Sequence, residues 1–309
     1  MHRYIFRRLL LLIPVMMGVT FIIFTMMYFT PGDPARIMLG ETAPEADVIR
    51  LREELGLDDP FLIQFGRYVK NAVIHQDIGR SYTSNRPVVG EITTRFPATL
   101  KLAALGVLVS VAIGIPTGII SATKQYSIFD NVAMVLALIG VSMPNFWQGL
   151  MTMLVFSVYL GWFPSSGFST PMHWVLPAVT IGTASCAIVT RMTRSSMLEV
   201  IRQDYIRTAR AKGQVESKII NQHALKNALI PVITVVGLQF GYLLGGAILT
   251  ETIFAIPGVG RLMVEAVLRR DLPIVMGGVL FIAVTFSIVN LCVDILYAFV
   301  DPRIKSQYK

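Results

Sequence analysis

Long runs of apolar residues, separated by polar segments, are the dominant pattern of this sequence. An α-helix needs about 20 predominantly apolar residues to cross the hydrocarbon core of a bilayer. Six runs meet or approach that length, and we predict one membrane-spanning helix from each. The predicted spans are residues 9–29, 102–122, 132–160, 173–190, 228–250 and 273–293. The sequence therefore predicts an all-α polytopic membrane protein with six transmembrane helices.

Two of these runs have unusual lengths. Residues 132–160 include Pro144 and are too few for two spans and a turn, so we predict one long helix that is kinked or tilted. The run 173–190 is shorter than a typical span.

The first run also has to be distinguished from a secretory signal peptide, because three arginines precede it. The apolar part of a signal peptide is only about 7–15 residues long and ends in small residues. The run 9–29 is longer and ends in Tyr28, Phe29, Thr30 and Pro31. We predict a first helix that is retained.

The distribution of Lys and Arg predicts the orientation. With the N-terminus in the cytosol, the cytosolic segments carry 15 of the 27 basic residues, and the two short outer loops carry three. The remaining nine lie in the outer segment 30–101, which is too long to count for much in this rule. Both termini are therefore predicted to be cytosolic.

The outer segment after the first helix is as long as a small subdomain. Residues 44–55 are predicted to form a helix that ends at Gly56 and Pro60, and residues 61–74 have an amphipathic pattern. We divide the chain into an N-terminus with the first helix (1–30), an extracytoplasmic subdomain (31–98), a transmembrane core (99–300) and a cytosolic C-terminus (301–309). The core includes a cytosolic loop at 191–227.

Composition supports a membrane location. The chain is 54% hydrophobic and 15% charged, whereas soluble proteins carry about 25% charged residues. The net charge of +8 is concentrated at the ends of the apolar runs, so we predict lipid and not nucleic acid as the partner of this charge. The two cysteines, Cys186 and Cys292, lie within apolar runs, which is typical of buried thiols.

Several kinds of catalytic motif are absent from the sequence. It contains no G-x-x-x-x-G-K-[ST] phosphate-binding loop, no H-E-x-x-H and no G-x-S-x-G. The spans are free of charge, whereas ion-coupled carriers usually keep ionisable residues within the membrane. We predict a transport protein that is not an enzyme, holds no metal or cofactor, and obtains its energy from another polypeptide.

The most informative segment is the basic, helix-prone stretch 204–231 between two spans. Ala209 and Gly213 are four residues apart, so we expect them to share a helix face that another surface can approach closely. Gly213 is also suited to ending a helix, and a second helix is predicted from Lys218 towards the membrane. An ordinary basic loop, kept by the positive-inside bias, is an equally good interpretation of the pattern alone.

A resemblance decides between these interpretations. The segment resembles the cytosolic loop of binding-protein-dependent ATP-binding-cassette (ABC) importer permeases, whose signature is Glu-Ala-Ala, three residues, then Gly. Arg207, Thr208 and Ala209 align with the triplet and Gly213 with the glycine, so Glu and the first Ala are replaced. The stretches 205–213 and 223–231 are similar to the variant found in the dipeptide/oligopeptide/nickel/glutathione permease family. Further blocks that resemble this family are 7–9, 31–34, 53–58, 254–261 and 297–303.

The resemblance covers essentially the whole chain and implies the "B" type of permease, with the type I ABC importer fold and a long first outer loop. It implies a sister permease, two ATPase subunits that bind ATP and Mg, an extracytoplasmic substrate-binding protein, and a bacterial inner membrane. It also implies that the loop contains a coupling helix that contacts one ATPase. The implied coupling residues are Arg207, Thr208, Ala209, Arg210, Lys212 and Gly213.

Polar and small residues within the spans have two interpretations each. Gly237, Gly241 and Gly245 form a stripe that allows close helix packing, either within the chain or against a sister subunit. Four amides are candidates for lining the translocation path, and satisfied hydrogen bonds between helices are the alternative. These are Asn145, Gln148, Gln239 and Asn290.

Residues after the fifth predicted span are candidates for an outer gate or for contact with the binding protein. They are Glu251, Pro257, Gly258 and Gly260, and a plain connector is the alternative. The function predicted from the whole sequence is uptake of di- or oligopeptides by alternating access. Uptake of nickel chelates or glutathione by the same architecture remains an alternative, and a secondary carrier without an ATPase is a more distant one.

Overall fold

The computed structural model describes the backbone of residues 2–300 and the side chains of residues 6, 10–245 and 247–296. No β-strand occurs among them, and the C-terminal segment 301–309 lies outside the described residues. The helices are α1 (His2–Tyr28), α2 (Pro34–Leu39), α3 (Glu45–Leu55), α4 (Phe61–Ile74), α5 (Val88–Thr123), α6 (Ile128–Ser142), α7 (Asn145–Thr152), α8 (Val175–Ile201), α9 (Asp204–Ala211), α10 (Glu216–Lys218), α11 (Leu225–Gly246), α12 (Ile248–Ile253), α13 (Val259–Leu268) and α14 (Leu272–Val300). The segments Met153–Tyr159 and Ile219–Ala224 are π-helical, and Pro171–Trp174 forms a 3₁₀ turn.

Five helices are long and apolar enough to cross a membrane, and the number is six when a bent pair of helices is counted as one span. Counted in this way, the crossings correspond to the six predicted spans, and the all-α membrane fold is confirmed. The fourth crossing is longer than the predicted span 173–190, because α8 extends to Ile201. Its last three turns lie within the segment that the sequence assigned to the cytosolic loop.

The third crossing is not the single helix that the sequence predicts. Helices α6 and α7 meet at an angle of 104°. Met143 and Pro144 both have extended backbone conformations between them. Proline lacks an N–H group and disfavours a helical conformation in the preceding residue, so both constraints act at this point. The chain therefore breaks here, and a new helix starts at Asn145.

Helices α5 and α8 form the most closely packed pair in the core. A Cβ atom added to Gly106 would lie 2.6 Å from Ile181, one on Gly114 would lie 2.9 Å from Val189, and one on Gly118 would lie 2.6 Å from Thr193. Small residues allow this close approach of helices in lipid. The α5–α8 contact therefore depends on three glycines spaced eight and four residues apart.

The glycine stripe of α11 packs against α14. Added Cβ atoms would lie 2.4 Å from Val293 at Gly237 and 3.2 Å from Phe286 at Gly241. Of the two interpretations of this stripe, packing within the chain is the one that the structure supports.

The outer segment begins with α2, α3 and α4. Asp33 caps α2 through the N–H of Ala35 and also pairs with Arg52 of α3. Helix α3 ends at Gly56, as predicted from the sequence, and Gly56 has the left-handed conformation.

The return from the outer segment to α5 is anchored by Asp271, which precedes α14. Its carboxylate accepts hydrogen bonds from the hydroxyl of Ser81 and from the N–H groups of Tyr82 (3.1 Å) and Thr83 (3.2 Å). The hydroxyl of Thr83 donates a fourth bond, at 2.8 Å. Burial, together with the Asp271 carboxylate, raises the pKa of Tyr82 to about 12. One buried acid thus fixes the end of the outer segment to the membrane core.

A second buried acid joins α6 to α8. Asp130 is 1% exposed, and both of its oxygens accept hydrogen bonds from the guanidinium of Arg194, at 2.7 and 2.8 Å. Such bidentate pairs fix geometry as well as charge. Arg194 was predicted to lie in the cytosolic loop, and no role was predicted for Asp130.

Candidate functional site

The loop between α8 and α11 is an ordered helix, turn and second helix, as the sequence predicts. Helix α9 ends at Ala211, and Gly213 has a φ of +74°. The N–H of Gly213 bonds to the carbonyl of Arg210, and that of Gln214 bonds to the carbonyl of Ala209. This pair of bonds is a Schellman motif, which requires a left-handed residue and therefore favours glycine.

The Schellman motif changes one part of the prediction. Ala209 and Gly213 do not share a helix face, because Gly213 lies beyond the end of α9. Ala209 is partly buried and packs towards the body of the protein, whereas Gly213 is exposed with open space around it. A bulky substitution at Ala209 would therefore disturb the chain's own packing before it affected any partner.

A buried cluster connects α9 to the membrane helices. Ile206 is fully buried and belongs to a cluster with residues from four other elements. The members of this cluster are Ala122 of α5, Met197 of α8, Ile206 of α9, Ile219, Ile220 and Ala224 of the turn after α10, and Ala228 of α11. Ile206 and Ile219 were not predicted to have this role. The signal was present, because each is a large apolar residue within a polar segment.

Polar contacts hold the two halves of the loop together. Arg210 forms two hydrogen bonds with Glu216, at 3.1 and 2.6 Å. His223 and Gln214 interact through ring nitrogen and amide oxygen at 2.8 Å. Of the predicted coupling residues, Arg210 is thus engaged within the loop.

The exposed side of α9 and its turn forms a continuous surface, which we call the α9 surface. Arg207, Thr208, Lys212 and Gly213 belong to it among the predicted residues, and Ala211 and Val215 are additional members. Val215 is 73% exposed although it is apolar. A basic surface with an apolar residue at its edge is suited to contact another protein.

The four candidate pore residues lie in two groups, one on α7 and the other on α11 and α14. Gln148 of α7 is buried and donates to the hydroxyl of Thr183 in α8, with Asn145 half-buried one turn earlier. Gln239 of α11 and Asn290 of α14 are also half-buried. Within the described part of the chain, Oε1 of Gln148 and Oδ1 of Asn290 are buried without a hydrogen-bond partner.

The candidate outer-gate residues converge on one carboxylate. Glu251 is fully buried and accepts hydrogen bonds from the hydroxyl of Thr99 (2.6 Å) and the N–H of Arg261 (3.0 Å). Added Cβ atoms at Gly258 and Gly260 would lie 2.2 and 3.0 Å from its carboxyl atoms. Burial raises the pKa of this carboxyl, and the hydrogen bonds oppose the shift. We call Glu251 and the residues that enclose its carboxylate, Thr99, Gly258, Gly260 and Arg261, the Glu251 cage. Pro257, which precedes Gly258, is half-buried. Thr99 was not predicted to belong to this site.

Two family models match the chain. The model of the inner membrane component of binding-protein-dependent transport systems matches residues 114–306. The model of the N-terminal part of such membrane components matches residues 1–103. The chain belongs to this family. It is a membrane component of a transport system that also includes a substrate-binding protein and an ATPase, and it is not itself an enzyme.

Relatives of this inner membrane component align over nearly its whole length. It is 46% identical to a dipeptide transport system permease protein of Alkalihalophilus pseudofirmus, over 99% of this chain and 100% of the relative. It is 45% identical to the protein of that name from Escherichia coli strain K12, and 44% identical to a putative peptide transport system permease protein of Brucella abortus, with 99% of each chain covered.

Solved structures support the fold alone. The inward-facing MetNI methionine ABC transporter matches with a TM-score of 0.55 at 18% identity, over 69% of this chain and 97% of that one. An amino acid ABC transporter crystallised with histidines matches with a TM-score of 0.52 at 16% identity, over 70% and 94%. The transmembrane core of this family member therefore has the fold of ABC importer permeases.

Proposed function

We propose that the chain is one of two permease subunits of an ATP-driven importer for di- or oligopeptides in a bacterial inner membrane. Full-length identity of 44–46% to dipeptide and putative peptide permeases is the observation that carries this proposal. In this proposal both termini are cytosolic, the outer segment faces the binding protein, and two partner ATPases hold ATP and Mg. This chain needs no cofactor of its own.

The α9 surface is the proposed contact with one ATPase. Its residues are exposed, two of them (Arg207 and Lys212) are basic, and the buried cluster around Ile206 provides a mechanical connection to three membrane helices. When the ATPases close on ATP, a displacement of α9 moves α5, α8 and α11 together, because cores packed at protein density transmit strain. This motion is the proposed drive for alternating access.

The proposed translocation path passes the amides of Asn145, Gln148, Gln239 and Asn290. Unpartnered amide oxygens at membrane depth are costly unless water or a ligand reaches them. The break between α6 and α7 supports this location, because non-helical backbone in a bilayer is tolerated where it is covered by protein or lines an aqueous cavity.

The experiment is uptake by proteoliposomes that contain this chain, its sister permease, both ATPases and the binding protein. We expect ATP-dependent accumulation of a labelled dipeptide, with a labelled longer peptide, glutathione and a nickel chelate as alternative substrates. Accumulation of only glutathione or the nickel chelate would show that the proposed substrate is wrong. Uptake that continues without the ATPases would instead contradict the proposed energy source.

A further inference from the structure

Helix α4 of the outer segment is attached to α1 by a cluster of aromatic rings. The cluster consists of Phe21, Phe24 and Tyr28 from α1 and Phe61, Phe65 and Tyr68 from α4. The ring centroids of Phe61 and Tyr28 are 5.1 Å apart, and those of Phe65 and Phe21 are 5.4 Å apart. These edge-to-face contacts fix the height of α4 relative to the membrane-spanning helix.

The height of α4 places it within the bilayer. The apolar span of α1 is Leu10–Tyr28, which is 19 residues, or about 28 Å of helix against a hydrocarbon core of about 30 Å. Phe21 is two turns before the end of this span, so it lies about 10 Å deeper than Tyr28. Both Phe61 and Phe65 contact Phe21. Helix α4 therefore lies beside the last two turns of α1 and not above its end.

Exposed apolar residues also lie on α4 outside its contact with α1. Leu62 and Val73 are 73% and 72% exposed, and they lie on the same helix face because eleven residues make slightly more than three full turns. Ile63 and Ile74 are 53% and 64% exposed and repeat the same spacing. Isolated exposed apolar residues need no explanation, but four on one short helix mark an interaction surface.

The surface continues into residues that face lipid. Only 6% of the apolar span of α1 is buried within the chain, and Ile22 and Phe29 beside α4 are well exposed. The charged residue Arg67 lies on a different side of α4 from Leu62 and Val73, where it contacts Asp59 and the carbonyl of Leu55, and the exposed Lys70 lies between the two apolar pairs. At this depth, a helix with an apolar side at Leu62 and Val73 and basic residues elsewhere has the properties of an interfacial amphipathic helix.

We propose that α4 is seated in the outer leaflet of the bilayer, with phospholipid as the partner of Leu62 and Val73. In this arrangement the aromatic contacts between α1 and α4 hold the extracytoplasmic segment against the membrane surface. Arg67 and Asn71 face the headgroups and water. The proposal does not depend on the transported substrate.

The test uses single-cysteine variants at Leu62 and Val73, each labelled with an environment-sensitive fluorophore. Cys186 and Cys292 are first replaced by Ala, and the assembled transporter is reconstituted in vesicles of phosphatidylethanolamine and phosphatidylglycerol. Quenching by lipids that carry a nitroxide on the acyl chain is compared with quenching by iodide in the water. Asn71 is the matched control, because it is exposed on the opposite side of the same helix.

We expect lipid-borne nitroxide to quench labels at 62 and 73 at least about threefold more strongly than the label at 71, because only the apolar face enters the acyl region. Iodide should show the reverse order. Strong iodide quenching at 62 and 73 would overturn the proposal. Protection from both quenchers in the assembled transporter would also overturn it, because another protein would then cover the surface.

Discussion

At the scale of single residues, Gly213 shows both the reach and the limit of the sequence. Its position predicts the end of a helix, and α9 does end there. The expectation that Ala209 and Gly213 share a face fails, since a Schellman turn rotates the chain away from the helix axis between them. A face is predictable only where the helix is known to continue.

The α9 surface gives the first prediction at this scale. Ala211→Trp adds bulk to an exposed residue on the proposed docking surface. Overpacking costs about 1–3 kcal/mol, so association with the ATPase should weaken by on the order of 5- to 150-fold. Co-purification of the ATPase and peptide uptake measure this loss. Ser217→Trp, exposed in the same loop but outside α9, is the control and should behave as wild type. Normal association of the Ala211→Trp variant with the ATPase would show that α9 is not part of the interface.

The Glu251 cage gives the second prediction at this scale. Glu251→Ala leaves the hydroxyl of Thr99 and the N–H of Arg261 without an acceptor, and each buried unsatisfied donor costs about 1–3 kcal/mol. We expect a clearly lower melting temperature of the purified protein in detergent. Glu251→Gln should lose less, because one carbonyl oxygen remains. Glu265→Ala is the control, because Glu265 lies in the neighbouring helix α13 and is partly exposed. A similar loss of stability in all three variants would argue against a specific cage.

At the scale of elements, most of the spans were predictable because their apolar runs are long and free of charge. The break in the third span was not, since a proline within a long apolar run is compatible with a kinked helix as well as with two helices. The angle between α6 and α7 depends both on Met143 and Pro144 and on the packing of α7 against α8 and α12. Likewise, the pairing of Asp130 with Arg194 depends on how α6 and α8 are rotated relative to each other, and a local sequence pattern does not predict this.

The attachment of the outer segment to α14 can be tested at this scale. Asp271→Ala removes the acceptor of four hydrogen bonds from residues 81–83. The connection to α5 should open locally, and trypsin added from outside should cleave after Arg80 several times faster, as fragment analysis would show. Asp77→Ala removes a single bond, to the N–H of Gly79, in the same loop. If both variants are cleaved at the wild-type rate, Asp271 is not the anchor.

At the scale of the whole molecule, the sequence established the class of protein and the family comparison confirmed it, while the orientation in the membrane remains a prediction. In a background without Cys186 and Cys292, a cysteine at Glu45 should react with an impermeant thiol reagent in intact cells. A cysteine at Lys218 should react only after the membrane is made permeable, because the basic loop is expected in the cytosol. Labelling at 218 in intact cells would reverse the orientation of every span.

The break in the third crossing also bears on how the protein is made. Helix α6 has 15 residues, about 22 Å, which is too short to hold a transmembrane position alone. Arg194, the partner of Asp130, lies 64 residues after Asp130 in the chain. At the speed of the ribosome this separation corresponds to about 3–13 s of synthesis. We therefore expect α6 to wait beside the translocon until α8 emerges. In a series of stalled nascent chains, its stable integration should appear only once residue 194 has left the ribosome, and integration of chains that end before α8 would contradict this.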